Sequence, residues 1–368
     1  MWVLISFCNS IKRSKHYSKF GWSQIAALNL ETHQIYFLRI PQVINPQGFT
    51  GITHDDKFIY IVTQGKKQAS LLRLQKKDLK IDLIKKTGHI ADPHSMILFG
   101  NRLYVVSTGT NTIEMYSSET LEYLERYWQY PSTTTFCDQV HLNSLFVAKS
   151  QLWTSAFGPK TDNKWSSAAK GALINTTNNS QLYTIYHPHS ATYHQNSFYY
   201  CESWTGSVFR NENVIKKIEG SYLRGLDVNS DYLIIGVSSG REKSKSRGVV
   251  NDPSEAGRYN SFSGIVVQDR KQHKELYFDL SQYSPEIYQY TREIYSLKLI
   301  SGIVLTSSDN ILSHYKLEPS PVIERNHAIS ILINENQKLR IKFGRLLRKK
   351  NKLVDEVHSL KRKINLMR

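Results

Sequence analysis

Cysteine is scarce in this chain: Cys8, Cys137 and Cys201 are the only three in 368 residues. An odd, widely spaced set makes no disulfide framework, and no Cys-x-x-Cys spacing offers a structural metal site. Such usage fits a reducing, cytoplasmic setting. Long apolar runs are missing too. No stretch approaches the ~18 apolar residues that a membrane span needs. The start, MWVLISFCNSIKRSK, carries its charges after a short apolar run, the reverse of a secretory leader. Acidic residues are few, 31 Asp+Glu against 48 Lys+Arg, for a net charge of +17. Yet 40% of the residues are hydrophobic and 11% aromatic, enough to bury a full core.

What is present is a repeat. GFTGITHDDKFIYIVTQG, DPHSMILFGNRLYVVSTG, DQVHLNSLFVAKSQLWTSAFG, YHPHSATYHQNSFYYCES and SYLRGLDVNSDYLIIGVSSG stack on one another, with a weaker sixth copy, EIYSLKLISGIVLTSSD. Each copy reads as a short strand, a polar turn and a stronger apolar-aromatic strand ending in Ser, Thr or Gly. Further strands follow, such as SLLRL, TIEMYS and GIVVQD, then KIDLIKK, QLYTIY and KELYFDL. Four short antiparallel strands per repeat, with little helical periodicity, predict an all-β protein of the β-propeller type over residues 1–318. A β-sandwich would not account for one two-strand motif recurring six times. The N-terminus adds WVLISF, IAALNL and IYFLRI, and the C-terminal unit adds strands near 294–299, 303–307 and 311–317. This tally exceeds six full blades and falls short of seven. Seven incomplete blades is the expectation, with six as the alternative.

Aligning the strong strands brings one column together: Thr50, His94, Asn143, His189, Arg224 and, more loosely, Glu293. The next residues are Gly51, Ser95, Ser144, Ser190, Gly225 and Ile294; two positions earlier, His141 and His187 also coincide. A column facing the core would be apolar. This one is polar, rich in imidazole, and starts the innermost strands, so it should ring the mouth of the axial channel. His94, His141, His189 and Arg224 are candidate catalytic residues, imidazoles acting as acid or base and the guanidinium as an anion clamp. Asn143, His187, Ser190, Trp165 and Glu293 are candidate ligand-binding residues. His94, His141 and His189 are also candidate ligands for a divalent metal, since neutral imidazoles from separate blades suit one. The opposing reading is that these polar groups merely satisfy each other and channel water.

Three long loops fall on the same face: 8–23, 156–171 and 239–263. They interleave Lys and Arg with Tyr17, Trp22, Trp165, Tyr259 and Phe262. That mixture suits a sugar-derived or anionic small molecule or a glycan. Past EPSPVIERN the pattern changes. Leu332, Leu339, Leu346, Leu353, Leu360 and Met367 recur every seventh residue, with Ile329, Asn336, Phe343, Lys350, Val357 and Ile364 three before each. This predicts a linker over 319–326 and a coiled-coil helix over 327–368, with a homodimer as its product. Residues 325–368 hold 13 Lys+Arg against 3 Asp+Glu, so most of the excess charge belongs to this segment. Lys and Arg are mixed through the heptads and do not precede them, which argues against sequence-specific nucleic-acid binding.

The segments DQVHLNSLFV, HPHSATYH and YLRGLDV resemble an uncharacterised bacterial family, a domain of unknown function with DxCHLNGLA-like, PHSPR-like and PRGLA-like motifs. The resemblance covers about residues 1–310. His141, Asn143, His187, His189, Ser190, Arg224 and Gly225 fall on its motif positions; HSATYH stands where that family has HSPRW. The resemblance implies a β-propeller-like fold and a link to polysaccharide or glycosyltransferase genes, and no established reaction. Two functions remain open. One is a metal-assisted or acid–base enzyme acting at the axial mouth. The other is a non-catalytic glycan- or protein-binding scaffold dimerised by its coiled coil.

Overall fold

The computed structural model describes residues 1–8, 24–39, 48–65, 68–218, 221–238, 243–244, 248–249, 263–280, 293–305 and 311–321. They form six antiparallel blades around an axis, a six-bladed β-propeller. Blade 1 comprises Gly48–His54, Phe58–Gln64, Ala69–Gln75 and Ile81–Thr87. Blade 2 comprises Pro93–Phe99, Arg102–Ser107, Thr112–Ser117 and Tyr123–Gln129. Leu142–Ala148, Gln151–Ala156, Gly171–Asn175 and Gln181–Ile185 make blade 3. Blade 4 is Pro188–His194, Ser197–Glu202, Ser207–Arg210 and Asn213–Lys217. Blade 5 is Tyr222–Val228, Tyr232–Ser238, Gly264–Asp269 and Lys274–Asp279.

Blade 6 corrects the expectation of seven blades. The N-terminal unit lacks an innermost strand and the C-terminal unit lacks outer ones. Ile294–Ile300 pairs antiparallel with Trp2–Phe7, and Ile25–Asn29 and Gln34–Leu38 follow. Two partial units thus become one blade that closes the ring and leaves no inner edge exposed. The strand expected near 303–307 is absent over 303–305. Instead Ile311–Lys316 adds to the outer edge of blade 6, and Ser320–Pro321 to that of blade 5. The expected linker therefore begins while the chain is still on the propeller. The helix expected over 327–368, and the dimer it would make, lie outside the described residues, as do loop residues 9–23 and nearly all of 239–262.

Strand alternation explains the packing. In WVLISF, Trp2 and Leu4 join a cluster with Phe49 and Ile61 of blade 1, whereas Val3, Ile5 and Phe7 join one with Ile234 and Phe278 of blade 5. Successive side chains point to opposite faces, so one strand feeds two interfaces. One apolar cluster fills each of the six gaps between neighbouring blades. Each fully buried Leu or Ile contributes about 1.5–3 kcal/mol.

One irregularity recurs in every blade and positions the site. Pairing of the innermost strand slips between Phe49 and Gly51, Pro93 and Met96, Leu142 and Leu145, His189 and Thr192, and Leu223 and Leu226. In blade 6 it slips where Ser6 pairs with Ser296 and Phe7 with Ile294, skipping Tyr295. Such bulges free a residue from the ladder and re-aim its side chain.

Candidate functional site at the axial mouth

The bulges fall on a triplet of one residue, a Ser or Gly, and an apolar or small residue. The triplets are Thr50-Gly51-Ile52, His94-Ser95-Met96, Asn143-Ser144-Leu145, His189-Ser190-Ala191, Arg224-Gly225-Leu226 and Tyr295-Ser296-Leu297. The sixth member of the polar column is therefore Tyr295, not Glu293. Glu293 belongs two positions earlier, with Asp92, His141, His187 and Tyr222. The triplet pattern carries this in the sequence.

The middle residues of the triplets tie the blades together. Ser95 Oγ accepts the Leu145 N–H (3.0 Å), Ser144 Oγ the Ala191 N–H (3.1 Å) and Ser190 Oγ the Gly225 N–H (2.8 Å). Ser190, expected to bind ligand, is thus engaged as a link between blades. Where the middle residue is glycine the next blade sits too close for a side chain. A Cβ on Gly51 would lie 2.6 Å from Met96 N.

The six first residues form a buried ring. Its blade 2–3 half is bonded internally. Asn143 Nδ2 donates to His94 Nδ1 (3.3 Å), and His94 Nε2 faces Asp92 Oδ1 at 3.6 Å. Burial holds the His94 imidazole neutral by lowering its pKa, with Asp92 opposing. The other half is not bonded in this way. Thr50 Oγ1, His189 Nε2, Arg224 Nε and Tyr295 Oη are buried without a hydrogen-bond partner among the described residues. Arg224 Nη1 is ion-paired with Glu293 Oε1, and its guanidinium lies 5.0 Å from the ring centres of both Tyr222 and Tyr295. Tyr295 also stands edge-on to His94 at 5.3 Å. Burial raises the Tyr295 pKa well above the ordinary phenol value, so its hydroxyl remains a donor.

The protonation of His189 follows from its neighbours. Ser203 Oγ donates to the Leu223 carbonyl (2.5 Å), so its oxygen accepts from His189 Nδ1 (2.7 Å). The His187 carbonyl accepts from the same nitrogen (3.1 Å). The proton sits on Nδ1, and Nε2 keeps its lone pair. Burial, then Arg224 and the other histidines, hold the pKa well below 6.5.

Outside this ring stands a second one. His141 is clasped by a residue the sequence reading missed. Asp138 Oδ2 accepts from Nδ1 (2.7 Å) while Oδ1 accepts the His141 N–H (2.9 Å). The ring is wedged between Phe157 (4.4 Å) and Trp165 (4.7 Å) and stands edge-on to His94 at 4.7 Å. Asp92, His141 and His187 have φ of +52°, +51° and +53°. This left-handed backbone is uncommon for non-glycine residues and turns the chain into each inner strand. His187 is fully buried, stacks on Phe157 at 4.2 Å and donates through Nε2 to the Trp165 carbonyl (2.8 Å). Trp165 is not an exposed aromatic, as its loop suggested. It packs with Phe157 and Ala168, with Lys160 Nζ 4.3 Å from its ring centre.

The residues do not assemble the expected three-histidine metal set. Among the described residues no group of three or more His, Cys, Asp or Glu is placed to hold an ion. His94 has both nitrogens facing protein groups, which leaves His141 and His189 as imidazoles with an uncommitted nitrogen. No described helix is long and apolar enough to cross a membrane.

Beneath the ring lies a cavity of about 210 Å³ reached by all six innermost strands. Thr50, His94, Asn143 and Tyr295 line its upper part, and Thr53, Ile97, Phe146, Thr192, Asp227 and Lys298 lie three residues further along each strand.

Solved structures share this fold at low identity. A chain of the nidogen/laminin complex is 11% identical, covers 80% of this chain and 97% of its own, and superposes with a TM-score of 0.51. Virginiamycin B lyase from Staphylococcus aureus (12% identity, 75% and 88% coverage, TM-score 0.43) resembles it more loosely. So does a protein of unknown function from Bacteroides caccae (12%, 80% and 97%, 0.47). No curated protein matches the chain at a significant level. Residues 73–306 match the family model described as domain of unknown function (DUF4915), and the chain belongs to that family.

Proposed function

We propose that the axial mouth binds a small hydroxylated, carbonyl-bearing molecule of sugar type and carries out acid–base chemistry on it. The observation that carries this reading is the grouping of four buried, unpartnered polar atoms on one side of a single ring. Leaving a polar group buried and unpaired costs about 1–3 kcal/mol, so four together support a ligand there. Tyr295 Oη, Arg224 Nε and Thr50 Oγ1 donate; His189 Nε2 accepts. Three donors and one acceptor match a carbonyl or hydroxyl oxygen beside a hydroxyl group. Glu293 balances the charge of Arg224, so the ring favours oxygen-rich ligands without demanding a strongly anionic one.

His141 is the general base. Asp138 holds the Nδ1 proton, which directs the Nε2 lone pair outward, and the aromatic wedge fixes the ring plane. His141 Nε2 takes a proton from the carbon next to the carbonyl. The C–H electron pair forms the enolate double bond, and Tyr295 and Arg224 hold the developing negative charge on oxygen. Incubating the protein with D-glucose in deuterated water tests this. Deuterium should enter at C2, and His141→Ala should abolish exchange while saturable binding persists. Absence of saturable binding for every polyhydroxylated carbonyl compound tried would overturn the reading.

A further inference from the structure

The cavity beneath the ring has two unlike walls. On blades 2 and 3 the lining residues three beyond the ring are Ile97 and Phe146; on blades 4, 5, 6 and 1 they are Thr192, Asp227, Lys298 and Thr53. The ring above divides along the same line. His94 and Asn143 of blades 2 and 3 bond to each other, and the unpartnered atoms belong to blades 4, 5, 6 and 1. At the level three residues beyond the ring, the polar residues stand on blades 4, 5, 6 and 1 and the two apolar ones on blades 2 and 3.

Lys298 stands among these polar residues. Its Nζ donates to Asp227 Oδ1 (3.1 Å), and Asp227 Oδ2 is committed to the Leu299 N–H (2.9 Å). One lysine N–H is thus used, and two remain for another acceptor. The Lys298 side chain is 32% exposed while Asp227 is buried at 8%, so the ammonium is the accessible partner of the pair. Nearby, Thr53 Oγ1 accepts the Leu98 N–H (3.1 Å), which leaves its own proton to donate.

Resting on the function proposed above, we infer that the ligand is a sugar acid or similar hydroxylated anion, its anionic group on Lys298 and Thr53 and its opposite end on Tyr295 and Thr50. A polyhydroxylated carbonyl compound has a hydroxyl-bearing edge and apolar C–H groups along another face. The polar residues receive the hydroxyls, and Ile97 and Phe146 receive the C–H face. The anion belongs at the end remote from the reacting carbonyl, because Lys298 and Tyr295 occupy different levels of the same strand. Lys298 is then a specificity-determining residue for this site.

Calorimetric titration of the full chain with D-glucose, D-glucuronate and glucose 6-phosphate tests the inference. An anionic probe should bind about 10-fold or more tighter than glucose, the worth of one charge-assisted hydrogen bond. Lys298→Met should erase that preference, and Lys298→Arg should restore part of it. Should Lys298→Met fail to fold, Thr53→Val should reduce the preference by about 3-fold, one neutral hydrogen bond. Preference for glucuronate alone identifies a carboxylate, and for glucose 6-phosphate alone a phosphate; either supports the inference. Equal binding of all three overturns it and leaves the proposed function standing. Binding of none overturns both.

Discussion

The two halves of the axial ring use the same backbone device for different ends. In blades 2 and 3 the bulged residues are His94 and Asn143, which face each other and satisfy each other (3.3 Å). In blades 4, 5, 6 and 1 the equivalent residues are His189, Arg224, Tyr295 and Thr50, each with a buried atom unmet. Geometry does not separate them, since all six stand at or beside a slip in strand pairing. Residue chemistry does. The first half is complete as it stands; the second holds the unmet groups on which the proposed ligand site rests. His141 stands at the boundary, touching His94 on one side, with Asp138 fixing its ring.

The sharpest way to test this division is to remove the base. His141→Ala should lower turnover by about 10²- to 10⁴-fold, the usual contribution of a positioned general base. Asp138→Asn should keep binding and lower turnover less, because the imidazole loses the carboxylate that fixes its tautomer and ring. Next comes the open half. Tyr295→Phe removes one donor while keeping the ring, and should weaken ligand binding by about 10-fold with little loss of stability. On the closed half, Asn143→Ala should do the opposite. It leaves His94 Nδ1 buried and unpaired, at a cost of about 1–3 kcal/mol in unfolding free energy, with binding changed little. If Asn143→Ala weakened binding as much as Tyr295→Phe, the two halves would be one site and the comparison would fail.

Much of this was legible in the residues alone. The recurring strong strands announced a propeller because each must bury both faces between neighbours. The polar column announced the axial ring, because no core position would hold Thr, His, Asn, His and Arg in register. Blade count was not legible. A blade made of Trp2–Phe7 and Ile294–Ile300 is joined by hydrogen bonds between distant parts of the chain, which no local pattern encodes. The roles of single residues were also hidden. His187 and His189 look alike in HPHSATYH, yet one stacks on Phe157 and donates to Trp165, while the other donates through Nδ1 to Ser203 and stands in the axial ring. Trp165 read as a loop aromatic and is in fact buried. Asp138 lies three residues from His141, but only the left-handed turn at His141 brings both carboxylate oxygens onto it.

Protonation separates the halves less than hydrogen bonding does. Burial is the first cause of the lowered pKa of both His94 and His189. In the folded chain both imidazoles bind a proton less readily than in the unfolded chain. The unfolded chain therefore takes up more protons as the pH falls through about 6.5. This stability is complete above that value and is lost progressively below it. Denaturant titrations from pH 8 to pH 5 should show the decline. His189→Gln should flatten it, and His94→Gln should flatten it further.

The smallest expected effect concerns the serines between the halves. Ser190 Oγ accepts the Gly225 N–H across the blade 4–5 interface at 2.8 Å, within the open half. Ser144 Oγ does the same for Ala191 across the blade 3–4 interface, at the boundary between halves. If these hydroxyls serve structure alone, Ser190→Ala should cost about 1 kcal/mol and Ser144→Ala more, because Ser144 Oγ also bonds Ser155 Oγ (2.6 Å). Ligand affinity should then stay unchanged in both. A Ser190→Ala variant that lost affinity while Ser144→Ala did not would place Ser190 among the groups that touch the ligand. The open half would then reach one residue deeper along the strand, onto the cavity wall that leads to Lys298.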